Sequence, residues 1–154
     1  MSPPARKRCY VASPLGFTEA GRRYYAEVYL PALGEVVTPV DPWSLTTEVE
    51  VLQARTEGRE REMALEIGRR NADAIESCTL LAAYLEGQEP DAGTVAELGF
   101  AAGIGIACFG LRSDIRQSGE AGVLVNLQVE SFIVRSGGAM CESLEELAEA
   151  LSGA

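Results

Sequence analysis

The stretch EPDAGTVAELGFAAG, residues 89–103, sets two carboxylates, Asp91 and Glu97, on either side of a Gly93-Thr94 step just ahead of an apolar run. Two acids at a cleft can divide nucleophilic and acid-base work between them. The same letters have a plainer meaning, because Thr94-Val95-Ala96-Glu97 fits the capping pattern S/T-x-x-E, in which hydroxyl and carboxylate satisfy free backbone N–H groups at a helix start. Spacing alone favours the cap. Composition then narrows the chemistry: the 154-residue chain contains no histidine, which removes Ser-His and Cys-His nucleophile pairs and the commonest metal ligand. Acid-base work near neutral pH falls mainly to carboxylates.

Other function classes are excluded in the same way. The four cysteines, Cys9, Cys78, Cys108 and Cys141, lie far apart without a C-x-x-C pair, as reduced core thiols do, so neither zinc nor a disulfide framework is expected. A net charge of -10 would repel a phosphate backbone, and nucleic acid is not an expected partner. The longest uncharged stretch, 98–111, is broken by four glycines and falls short of the roughly 18 residues that a spanning helix needs. We therefore expect no membrane partner and a cytoplasmic protein. With 47% hydrophobic and 23% charged residues, the chain suits a loose basic arm over residues 1–8 followed by one domain over 9–154.

The elements that must position the acids follow from periodicity. Residues 9–12 read as a strand ending in Ser-Pro-Leu-Gly, and 18–30 as a helix with Ala20, Tyr24 and Val28 at four-residue intervals. A second strand is expected over 36–38, stopped by Pro39. Residues 46–77 suggest one or two helices broken around Gly58, the second with Met63, Ile67 and Ile75 inward. The apolar run TLLAAYL, 79–85, suits a central parallel strand covered on both faces. A helix over 94–103, a strand over 106–111, a helix over 124–135, a short strand over 139–141 and a last helix from the Ser143 capping box to 151 complete the chain. Strands alternating with helices predict an α/β fold: a doubly wound parallel sheet of about five strands in flavodoxin-like (Rossmann-like) order. Ligands of such sheets sit at the carboxyl ends of the strands. Asp91 and Glu97 fall on that rim, which brings the functional meaning level with the cap. No G-x-G-x-x-G or Walker A pattern occurs, so no cofactor is expected.

The blocks YVASPLGF, VDPW, RRNADAI, LEGQEPDAGTVAELGFAAG, GLRSD and VNLQVESF occur in an order that resembles the nucleoside 2-deoxyribosyltransferase family, from about Tyr10 to Phe132. The resemblance implies transfer of 2-deoxyribose between nucleobases by double displacement, with 2'-deoxyribonucleosides and free nucleobases as partners and neither metal nor cofactor. It puts the nucleophile at Glu97, with Tyr10 orienting it through its hydroxyl. It implies that Asp91 binds the sugar 5'-hydroxyl, with Gly93 beside it in the substrate-binding step, and that Asp73 lies near the leaving base. Asp73 has a second meaning as a helix-surface ion pair with Arg69. Asn126 would reach into a neighbouring subunit's site, which implies a homodimer or higher homo-oligomer with shared active sites; its plainer role is an N-cap. Trp43 would wall the base pocket or serve the core. Arg112 and Asp114 suggest a loop ion pair. Ser13 and Pro14 replace the more glycine-rich turn of some relatives. The competing functions are a nucleoside 5'-monophosphate N-glycosidase of the same fold and a non-catalytic nucleoside sensor.

Overall fold

Five strands, β1 (Arg8–Ala12), β2 (Thr38–Val40), β3 (Leu80–Tyr84), β4 (Ala107–Leu111) and β5 (Met140–Cys141), run parallel in one sheet ordered β2-β1-β3-β4-β5. The computed structural model describes residues 5–154. The order is the flavodoxin-like one. Residues 1–4 of the N-terminal arm lie outside the described residues, while the Lys7 carbonyl accepts from the Thr38 N–H at 2.9 Å and Arg8 opens β1.

The alternating pleat of β1 explains the two-sided core. Cys9 and Val11 pack with Tyr25, Tyr29, Leu33, Leu147 and Leu151 on one face. Tyr10 and Ala12 pack with Ile75, Leu98, Val129 and Ile133 on the other. The first face is covered by α1 (Glu19–Tyr24), a π-helical turn (Tyr25–Tyr29), α2 (Leu30–Gly34) and the carboxyl-terminal helix α7 (Leu144–Gly153). The second is covered by α4 (Glu60–Glu76), α5 (Ala92–Gly103) and α6 (Leu127–Arg135), with α3 (Glu48–Thr56) against α4. All four cysteines are buried free thiols, three in strands and Cys78 just before β3.

Several boundaries differ from expectation for identifiable reasons. Strand β2 contains Pro39 instead of stopping before it. It is an edge strand, where a missing N–H is tolerated. The helix expected over 18–30 runs on to Gly34 and widens into the π turn, in which the Leu30 N–H reaches back to the Tyr25 carbonyl. Pro31 follows at once, and its ring would crowd the carbonyl four residues back in a regular helix. The break near Gly58 is present, with that glycine at φ +68° between α3 and α4. Helix α6 starts at Leu127, three residues later than expected, because Asn126 caps it.

Candidate active site

Glu97 sits in the second turn of α5, half-buried, facing the middle of β1. Tyr10, with 0% of its surface exposed, donates its hydroxyl proton to Glu97 Oε1 at 2.7 Å. Asn71 Nδ2, from α4, donates to the same oxygen at 3.2 Å. Both bonds fall on one oxygen and neither engages Oε2. The carboxylate is thus fixed in direction with one oxygen left over.

The capping role is taken by another residue. Helix α5 begins at Ala92, so Thr94 lies inside its first turn, and Asp91 is the N-cap: its Oδ2 accepts from Thr94 N at 2.8 Å and from Thr94 Oγ1 at 3.1 Å. Glu97 is therefore too far along the helix to close a capping box. Gly93 belongs to the same turn, where an added Cβ would come within 3.1 Å of Asp91 Oδ2. Asp91 is half-buried and its Oδ1 is left free by these two bonds.

Burial raises the Glu97 carboxyl above its ordinary value, the Tyr10 and Asn71 hydrogen bonds pull it down, and the Asp91 charge adds a further upward push. Tyr10 is raised far above the usual phenol range, first by burial and then by the Glu97 charge and bond. Its hydroxyl stays the donor.

The remaining candidates are placed unevenly. Trp43, 38% exposed, stands in the single turn Pro42–Ser44, where Asp41 Oδ1 accepts from Trp43 N at 3.0 Å and from the Tyr25 hydroxyl at 2.8 Å. The Trp43 ring lies against Gly16, where a Cβ would come within 2.3 Å of it, and meets Phe17 edge-on at 4.9 Å. It is partly exposed and lies outside both core clusters. Asp73 is exposed on α4 and pairs with Arg69 Nη1 at 2.5 Å; the structure does not bring it to Glu97. Asn126 is the exposed N-cap of α6, its Oδ1 accepting from Gln128 N at 2.9 Å, and it makes no bond to the Glu97 group. The ion pair expected between Arg112 and Asp114 forms instead between Asp114 and Arg116, with Nε 2.9 Å from Oδ1, in a turn that the Arg116 N–H closes on the same oxygen.

Asn71 was not among the expected residues, although a signal for it existed. Met63, Ile67 and Ile75 mark the inward line of α4 at multiples of four residues, and position 71 lies on that line. Residue 73 is two positions away, about 200° round the helix. The Asn71 Oδ1 is buried and has no hydrogen-bond partner among the described residues. A surface hollow of about 530 Å³ bounded by Glu76, Cys78, Thr79, Ile104, Gly105 and Ile106 lies at the amino ends of β3 and β4, away from Glu97. Among the described residues no group of three His, Cys, Asp or Glu side chains is gathered to hold a metal ion, and no helix is long and apolar enough to cross a membrane.

A family model for nucleoside 2-deoxyribosyltransferases matches residues 9–146. The chain belongs to that family. Among solved structures, a 2-deoxyribosyltransferase of Leishmania mexicana shares 25% identity over 94% of this chain and 97% of its own, with a TM-score of 0.67. A 2-deoxyribosyltransferase of Bacillus psychrosaccharolyticus shares 20% over 92% and 90%, with a TM-score of 0.62. A CMP N-glycosidase of Clostridium botulinum shares the fold at 14% identity, covering 94% of this chain and 98% of its own, with a TM-score of 0.58. A search of curated protein sequences found no match. In this family member the Tyr10–Glu97–Asn71 group lies against the middle of β1, on the face that α4, α5 and α6 cover, and α5 itself starts from the loop at the carboxyl end of β3, the edge at which doubly wound folds bind ligands.

Proposed function

We propose that the protein exchanges bases on 2'-deoxyribonucleosides by double displacement, with Glu97 as nucleophile. The observation that carries this reading is the single-oxygen anchoring of Glu97 by Tyr10 and Asn71. Fixing Oε1 holds Oε2 in one attacking direction. As Oε2 bonds to C1', the C1'–N bond breaks and the base leaves with its electron pair, taking up a proton. The product is a deoxyribosyl ester of Glu97. A ring nitrogen of a second base then attacks C1', the carboxylate departs, and the new base sheds a proton. Two inversions give net retention. The two donors on Oε1 stabilise the charge that returns to the carboxylate in the second step.

In this reading the free oxygen of Asp91 accepts from the sugar 5'-hydroxyl, and a 5'-phosphate would meet like charge there. Gly93 keeps that turn open, Trp43 offers its face to the base, and Asn71 takes the base-side place assigned to Asp73. Asn126 acts in the site of a second copy of the chain, so the working unit is at least a dimer. An electron-withdrawing 2'-hydroxyl destabilises an oxocarbenium-like transition state, which favours 2'-deoxy sugars.

The test is a two-base assay. The protein is incubated with 2'-deoxyinosine plus adenine, or thymidine plus adenine, and products are separated by chromatography. New 2'-deoxyadenosine is the expected result, and the productive tube defines the donor range. Free base without a new nucleoside would make water the acceptor and the protein a hydrolase. If neither forms, 5'-monophosphates including CMP are tried next, and inertness there leaves a sensor.

A further inference from the structure

Arg112, just after β4, is 2% exposed, and among the described residues its guanidinium forms no ion pair with a carboxylate. Nη1 donates to the carbonyls of Leu85 and Gly87 at 2.8 Å each, and Nη2 donates to the Arg116 carbonyl at 2.9 Å. A second strap runs the other way. Glu86 Oε1 accepts from Ser113 N at 2.7 Å and from Ser113 Oγ at 2.6 Å, while Oε2 accepts from Asp114 N at 2.8 Å. The loop after β3 and the loop after β4 are thereby tied together by one buried cation and one carboxylate. Gly87 then turns the chain at φ +98° toward Pro90 and Asp91, a conformation that favours glycine.

Burying a guanidinium is costly unless its donors are matched, and an apolar side chain of similar volume would fill the same space. What an apolar residue could not do is hold two loops in register. We infer that the Arg112–Glu86 double strap is the positioning device for Asp91, setting where its free oxygen meets the sugar. Neither residue hydrogen-bonds Glu97, Tyr10 or Asn71; both hold the start of the loop that leads to Asp91, and so act as positioning residues. The inference rests on the proposed sugar-binding role of Asp91.

The experiment is a double-mutant cycle of Glu86→Ala and Asp91→Ala, reading KM and kcat for 2'-deoxyinosine and the melting temperature. Glu86 is chosen because its strap is half-exposed, whereas Arg112→Met would leave three carbonyls unpartnered and could fail to fold. Glu86→Ala is expected to raise KM about threefold or more, with kcat within about twofold, and to add no further KM change to Asp91→Ala. A lowered melting temperature with unchanged KM would overturn the inference, as would a KM effect that adds in full on the Asp91→Ala background. If Asp91→Ala alone leaves KM unchanged, the sugar-binding reading of Asp91 fails first and takes the inference with it. Arg112→Lys, which keeps the charge but spans fewer carbonyls, should follow Glu86→Ala in KM; a parental KM in that variant counts against the strap.

Discussion

At Glu97, burial and hydrogen bonding pull the carboxyl in opposite directions, and the upward pull wins. The folded chain therefore holds that proton more tightly than the unfolded chain. Between the ordinary value of 4.5 and the raised one, this group's contribution to stability falls as pH rises, and the cost of the buried charge is fully present above the raised value. Glu97→Gln should abolish transfer yet melt no lower than the parent at pH 7, an advantage that fades below about pH 4.5; a lower melting temperature at pH 7 would count against this balance. Because the nucleophile must be ionised, transfer should fall on the acid side at a pH above the ordinary glutamate range. Tyr10→Phe removes a bond that favours the ionised form, so that acid limb should move to higher pH, with kcat down on the order of tenfold to a hundredfold. An unmoved limb would show that Tyr10 does not tune Glu97. A histidine-free chain directed attention to carboxylates, and the family resemblance singled out Glu97 among them. Asn71 was not, because its place on the inward line of α4 says only that the amide is turned to the interior, and not which group it meets there.

At the scale of the element, Asp91 caps helix α5 and, in the proposed function, also meets the sugar. Asp91→Ala should lose about 1 kcal/mol of stability with the cap, whereas Asp91→Asn keeps a good N-cap and removes only the charge. The asparagine variant should therefore retain its melting temperature while shifting the acid limb of transfer downward, since the Asp91 charge raises Glu97. Equal melting losses in both variants would refute the capping assignment. The start of α5 was misread because two capping signals overlap, Asp91 and Thr94, and the nearer one to Pro90 won. The β2 and α2 boundaries were missed for a related reason: Pro39 and Pro31 punctuate a sequence strongly, yet an edge strand and a widened helical turn each accommodate one. Gly16→Ala tests the remaining wall. Its Cβ would collide with the Trp43 ring, so KM for the base should rise while the pH profile keeps its shape.

The sheet order of the whole molecule was readable from the alternation of strand and helix, since parallel strands with right-handed crossovers leave few arrangements. What one chain's sequence does not display is a second copy. Mixing Glu97→Ala and Asn126→Ala proteins tests the shared site: if each dimer site draws on both chains, re-assorted hybrids should regain about a quarter of parental activity. No recovery on mixing would confine each site to a single chain. The molecule also carries its own reporter of motion. All four thiols are buried, with Cys9, Cys78 and Cys141 raised and Cys108 pushed up to about 11, so an alkylating reagent finds almost no thiolate while the sheet is closed. Cys141 lies on the two-residue edge strand and Cys9 on β1 inside the sheet. The order in which alkyl groups arrive, edge before centre, becomes a timed record of how the sheet comes apart.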